Sequence, residues 1–184
     1  MLGLQTQSCT DDDSIMPGDD SLVLNSELLG NWAAISYEAT EVFYFATIGQ
    51  VATFNNRVEG FDLDYEITFT EDTFQAAGNY SLAVSTFDVN GSPAGNSTLL
   101  QNDIMLIADY MATDTTLTTD STLYQITIES LDLNEGTVEQ TLRYEMNAEE
   151  TEMTIYQAWE YLREFDNGAS RRITVNATSV WEKL

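Results

Sequence analysis

The chain has 184 residues, with 31 Asp+Glu against six Lys+Arg, no histidine and a single cysteine, for a formal net charge of −25. This balance argues against nucleic acid, whose phosphates call for clustered Lys and Arg. The missing residues exclude Ser-His-Asp and Cys-His catalysis, histidine-ligated zinc and an internal disulfide. With 43% hydrophobic and 11% aromatic residues, one domain with a real core is expected.

Residues 1–8 (MLGLQTQS) read as a leader remnant. Residues 9–26, which include DDDSIMPGDDS, read as a polar acidic linker broken by Pro17 and Gly18. Such a segment buries too little apolar area to offset its ordering entropy, so a disordered tether is expected, with a root-mean-square span of about 20–25 Å. The folded domain is expected over residues 27–184.

Short alternating runs follow. GNWAAISY opens them. DLDYEITFT then places Leu63, Tyr65, Ile67 and Phe69 on one face, with Asp62, Asp64, Glu66 and Thr68 on the other. That period of two predicts a half-buried strand. GNYSLAVSTFDV, YQITIES, TVEQTLRYEM (Val138, Leu142, Tyr144 and Met146 inward), EMTIYQAWEYLREF and RRITVNATSVW (Ile173, Val175, Ala177 and Trp181) continue the pattern. Turn signals lie at 59–60 (EG), 76–79 (AAGN), 90–96 (NGSPAGN), 134–136 (NEG) and 166–170 (DNGAS). Two stretches break the rhythm. TEVFYFATIGQVATF (40–54) is apolar without a clean period. LLQNDIMLIADYM (99–111) spaces Leu100, Ile104, Ile107 and Met111 as a short helix would. The expected fold is all-β, an antiparallel barrel of about eight strands.

Within that frame LLGNWAAISYE (28–38) resembles the Gly-X-Trp opening of the lipocalin superfamily (calycin-type barrels), in particular the lipocalin-like domains of bacterial lipoproteins. SVWEKL (179–184) is similar to the final strand of such domains. The resemblance implies that Gly30 lets the entering chain turn tightly and that Trp32 closes the barrel base. Family members often stack an arginine from the last strand over the tryptophan; Arg171 and Arg172 stand at the start of that strand, and the spacing does not choose between them, while both equally read as ordinary solvated charges.

QSCTDDDS (7–14) resembles the end of a bacterial lipoprotein signal followed by the acidic surface-export signal of Bacteroidetes-type lipoproteins. The resemblance implies lipidation at Cys9, where lipid transfer needs a thiol, and export read through Asp11, Asp12 and Asp13. The implied location is the outer membrane, facing the cell exterior, with membrane contact through the lipid anchor only. Only eight residues precede Cys9 and none is basic, so the complete signal is expected to begin upstream.

The barrel interior is expected to hold Trp32, Tyr65, Ile67, Phe69, Tyr80, Tyr124, Tyr144 and Trp159. Aromatics with polar tips suit a pocket for a small, partly apolar ligand; they equally suit a dry core, which would make the domain a structural or interaction module. No cofactor or metal is expected. The carboxylate pairs Asp62/Asp64 and Glu149/Glu150 fall on a solvated face and in a turn, so an enzyme is not expected, although carboxylate-only catalysis stays open. DLNEG (132–136) lacks a full calcium-loop pattern and reads as a turn. Oligomeric state is not fixed by the sequence.

Overall fold

The computed structural model describes residues 26–47, 49–121, 123–124, 140–165 and 167–184, the side chains of 161 and 163 excepted. Cys9, Asp11, Asp12, Asp13, Val138, DLNEG and the expected strand beyond Tyr124 lie outside the described residues.

Eight antiparallel strands, each hydrogen-bonded to its neighbours in sequence, form one ring that closes between first and last. They are β1 (Gly30–Thr47), β2 (Gln50–Phe69), β3 (Thr73–Phe87), β4 (Pro93–Ala112), β5 (Thr116–Thr119), β6 (Gln140–Met146), β7 (Glu152–Glu164) and β8 (Ser170–Lys183). The described residues contain no helix. Gly30, the β2–β3, β4–β5 and β6–β7 turns and the end of β8 define a base; the β1–β2, β3–β4 and β7–β8 turns define a rim.

The alternation read from the sequence holds where it was cleanest. Tyr65, Ile67 and Phe69, Leu142 and Tyr144, and Ile173, Val175, Ala177 and Trp181 are all buried. Three expectations are corrected. LLQNDIMLIADYM is part of β4, not a helix, and its Leu100, Ile107 and Met111 are exposed. EG at 59–60 and AAGN at 76–79 lie inside β2 and β3, not in turns. Tyr124 lies on the connection after β5 rather than on a strand.

One physical cause underlies the first two corrections. The register shifts at Ala34/Ser36 in β1, Phe61/Asp64 in β2 and Gln101/Ile104 in β4, and Asp62 and Asp103 at those irregularities have positive φ. Each extra residue switches which parity points inward and bends its strand. In β4 the inward set changes from Leu99 and Gln101 to Ile104, Leu106, Ala108 and Tyr110; broken alternation of this kind mimics helical spacing. Asn79 supports the bend, its side-chain oxygen accepting from the Asp103 amide at 2.9 Å. The two glycines serve the same bend. A Cβ at Gly60 would stand 2.9 Å from the Cβ of Tyr37, and one at Gly78 (φ 126°) would overlap the Asp64 carbonyl.

Candidate functional site

At the base, Trp32 is fully buried on β1, opposite Ile67 of β2 and Lys183 of β8. Its indole N–H donates to the Leu28 carbonyl at 2.8 Å, which fastens the entering chain beneath the ring. Gly30 has φ 119°, a conformation that L side chains rarely adopt and that turns the chain into β1. The cation over Trp32 is Lys183, with Nζ 5.2 Å from the ring and donating to the Glu27 carbonyl at 3.0 Å. Neither expected arginine reaches it. β8 descends from rim to base, so its first residues sit at the far end: Arg171 lies over Phe45, and Arg172 pairs with Glu160.

Above the base, five rings meet in the interior. Tyr124 has its ring centroid 4.2 Å from Tyr37, 5.4 Å from Tyr65, 5.2 Å from Tyr80 and 5.6 Å from Trp181. Those partners come from β1, β2, β3 and β8, so Tyr124 enters from the connection and fills the centre of the ring. Tyr65 anchors this entry by donating to the Leu123 carbonyl at 2.8 Å. Burial pushes the hydroxyls of Tyr37, Tyr65 and Tyr124 well above the ordinary tyrosine range, with nearby oxygens adding to the effect. All three remain neutral hydroxyls at physiological pH.

Of the interior residues expected from the sequence, Trp32, Tyr65, Ile67, Phe69, Tyr80, Tyr124 and Tyr144 are buried; Trp159 is half-buried against the same core. They do not share one site. Tyr65, Tyr80 and Tyr124 belong to the ring cluster, Phe69 packs with Phe74 and Tyr110, and Tyr144 ties down a base turn. The carboxylate pairs Asp62/Asp64 and Glu149/Glu150 are exposed.

Toward the rim, the interior becomes polar. One inward row runs Val84, Val58, Ala39, Ala177, Gln157 across β3, β2, β1, β8 and β7; the next runs Thr86, Asn56, Glu41, Val175, Trp159. Gln157 donates to Gln140 at 2.8 Å. Glu41 is 1% exposed and Asn56 9%. Asn56 Nδ2 donates to Glu41 Oε2 at 3.0 Å, while Glu41 Oε1, Asn56 Oδ1 and the Tyr124 hydroxyl are buried without a hydrogen-bond partner. Burial pushes the Glu41 carboxyl above the usual carboxylate range, with the Asn56 hydrogen bond pulling the other way.

Sequence reasoning missed this pair. The signal was present: beyond the shift at Ala34/Ser36, Tyr37, Ala39 and Glu41 fall on one parity. An acid on an apolar parity is the pattern to look for. Chemically the arrangement offers two hydrogen-bond acceptors in a row completed by Thr86, Val175 and Trp159, beside a neutral Tyr37. Among the described residues no cluster of three or more His, Cys, Asp or Glu is placed to hold a metal. No protein-family model, curated protein or solved structure matches the chain.

Proposed function

We propose that the protein is a surface-anchored, lipocalin-like lipoprotein whose ring binds a small, partly apolar molecule between the aromatic cluster and the rim. The observation that carries the binding reading is the pair of buried, unpartnered acceptors on Glu41 and Asn56. A buried polar group without a partner costs about 1–3 kcal/mol, and a ligand that supplied the missing donors would recover that cost. Neighbouring Val175 and half-buried Trp159 offer the apolar surface to hold its body.

Mass spectrometry of small molecules released from the natively purified protein on denaturation tests this. A stoichiometric compound with an apolar body is expected; an empty interior that also rejects apolar probes would defeat the reading. The anchor rests on the Cys9 pattern in the sequence. In the complete precursor, Cys9→Ser should abolish lipid labelling and membrane retention. Replacing Asp11, Asp12 and Asp13 with Ala should leave the anchor and lose surface display.

A second reading has its own observation. The close packing of Tyr37, Tyr65, Tyr80, Tyr124 and Trp181 favours a solid interior, and with it a structural or interaction module acting through its outer face. An empty interior in the mass-spectrometric test favours that alternative.

A further inference from the structure

We propose that Glu41 and Asn56 form an acceptor pair that recognises the protonated amine of a small ligand with an apolar body. This inference rests on the binding reading above and narrows it to a chemical class.

The Asn56 amide N–H is used on Glu41 Oε2, so what remains on the pair is Glu41 Oε1 and Asn56 Oδ1, both acceptors. A ligand offering a carbonyl or ether would leave both unsatisfied, and a hydroxyl could donate to only one. An ammonium has three donors and no acceptor, so it satisfies both and is neutralised by the carboxylate. An anionic head group is opposed directly: among the described residues, the buried polar and charged ones are Glu41, Asn56, Ser81, Thr119, Gln157 and Ser179, with no Lys or Arg among them. A hard divalent cation is poorly served, because one carboxylate and one amide oxygen fall short of the six to eight oxygens calcium takes.

The surroundings fit the same class. Tyr37 below and Trp159 in the same row are aromatic residues, a type that attracts cations and packs against an apolar body. Phe43, one inward position nearer the rim and half-buried, lies on the way in. A net charge of −25 draws cations toward the protein and repels anions.

Burial also couples binding to a proton. Burial raises the hold of Glu41 on its proton and an ammonium favours the carboxylate, so wherever the empty site still carries that proton, binding expels it to solvent. Facing Glu41 are Tyr37 on its own strand, Asn56 on β2, Val175 on β8, Thr86 on β3 and Trp159 on β7, with Tyr124 from the connection beyond Tyr37. Tyr37 and Tyr124 are the titratable groups in that set, and burial keeps both neutral. The released proton therefore comes from Glu41.

Titration calorimetry of the full chain with n-octylammonium, 1-octanol and octanoate tests the inference. Salt at about 0.15 M shortens the screening length to about 8 Å and suppresses adsorption to the acidic surface. Octylammonium is expected to bind about tenfold or more tightly than octanol, with octanoate weakest. Glu41→Gln should remove that advantage, so that octylammonium binds no more tightly than octanol does to the same variant. In buffers of different ionisation enthalpy, the wild-type protein should release protons on binding octylammonium and none on binding octanol. Equal affinity for octanol and octylammonium would overturn the inference while leaving the binding reading intact; failure of every probe to bind would overturn both. If Glu41→Gln fails to fold by circular dichroism, the affinity of the wild-type protein for octylammonium from about pH 4 to about pH 8 decides: it should tighten relative to octanol as Glu41 ionises, and a flat profile overturns the proposal.

Discussion

Glu41 is a cost to the fold while its site is empty. Its carboxyl is held above the usual carboxylate range by burial, so the folded protein binds this proton more tightly than the unfolded chain does. Between the unfolded and folded pKa values the native state carries more protons, and stability falls as pH rises through that window. Each unit of upward displacement corresponds to about 1.4 kcal/mol. Glu41→Gln keeps the shape and removes the charge. It should therefore match the wild type near about pH 4 and exceed it at about pH 8, where an unfolded carboxyl is fully ionised. Urea denaturation at the two pH values measures the difference; a wild type equal to the variant at the higher pH would show that Glu41 ionises inside the ring without penalty. Gly78 imposes a different requirement, since it combines φ 126° with a position where a Cβ would overlap the Asp64 carbonyl. Gly78→Ala should cost about 2 kcal/mol or more, read as a lowered urea midpoint with an unchanged slope.

At the scale of elements, two base turns share one construction. In Thr70–Thr73 and again in Thr113–Thr116 the paired hydroxyls lie 2.7 Å apart, and the first oxygen accepts from the last amide. A tyrosine from a later strand then ties each turn. The Tyr110 hydroxyl donates to the Thr70 carbonyl and its amide to Asp72, while the Tyr144 hydroxyl donates to the Thr113 carbonyl and its amide to Thr115. Tyr144→Phe and Tyr110→Phe should each cost about 1 kcal/mol by urea denaturation, the net worth of such a bond; unchanged midpoints would make the ties incidental. Neither device was evident as sequence, because the tyrosine that reaches each turn from a later strand is brought there only by the pairing of the strands. Strands were legible wherever a run stayed on one side of a bulge, as in Tyr65–Ile67–Phe69 and Ile173–Val175–Ala177. They were obscured where a run crossed one, as at Asn102–Asp103, and mid-strand Gly60 and Gly78 then passed for turns. The base tryptophan and its glycine were legible from Gly-X-Trp, but the stacking cation was sought on the wrong end of β8 because direction within the ring cannot be read from spacing. Glu41 and Asn56 were hidden for the same reason as the β4 strand: their inward parity becomes visible only once the β1 and β2 irregularities are counted.

Across the whole molecule the ring is unequally joined. β1 pairs along nearly its full length with both β2 and β8, and β2–β3, β3–β4 and β7–β8 are similarly long. On the opposite side β4 meets β5 only over Tyr110–Ala112, β5 meets β6 over Thr116–Thr119, and β6 meets β7 over Arg143–Met146. Among the described residues, β4 from Pro93 to Asp109 and β7 from Gln157 to Glu164 therefore have a partner on one side only. Local opening takes the route that exposes least buried surface and breaks fewest backbone bonds. That route runs through β5 and β6, whereas β1 sits at the centre of the long ladders and carries Trp32, Tyr37 and Glu41 inward. Hydrogen exchange followed by mass spectrometry should show β5 and β6 exchanging first, by openings well below the global unfolding free energy, and β1, β2 and β8 last. An octylammonium held at Glu41 contacts β1, β2, β7 and β8, so it should slow exchange in those strands and leave β5 unchanged. Uniform exchange around the ring would mean that it opens only as a whole, and that the short β5 and β6 ladders are no weaker than the long ones opposite.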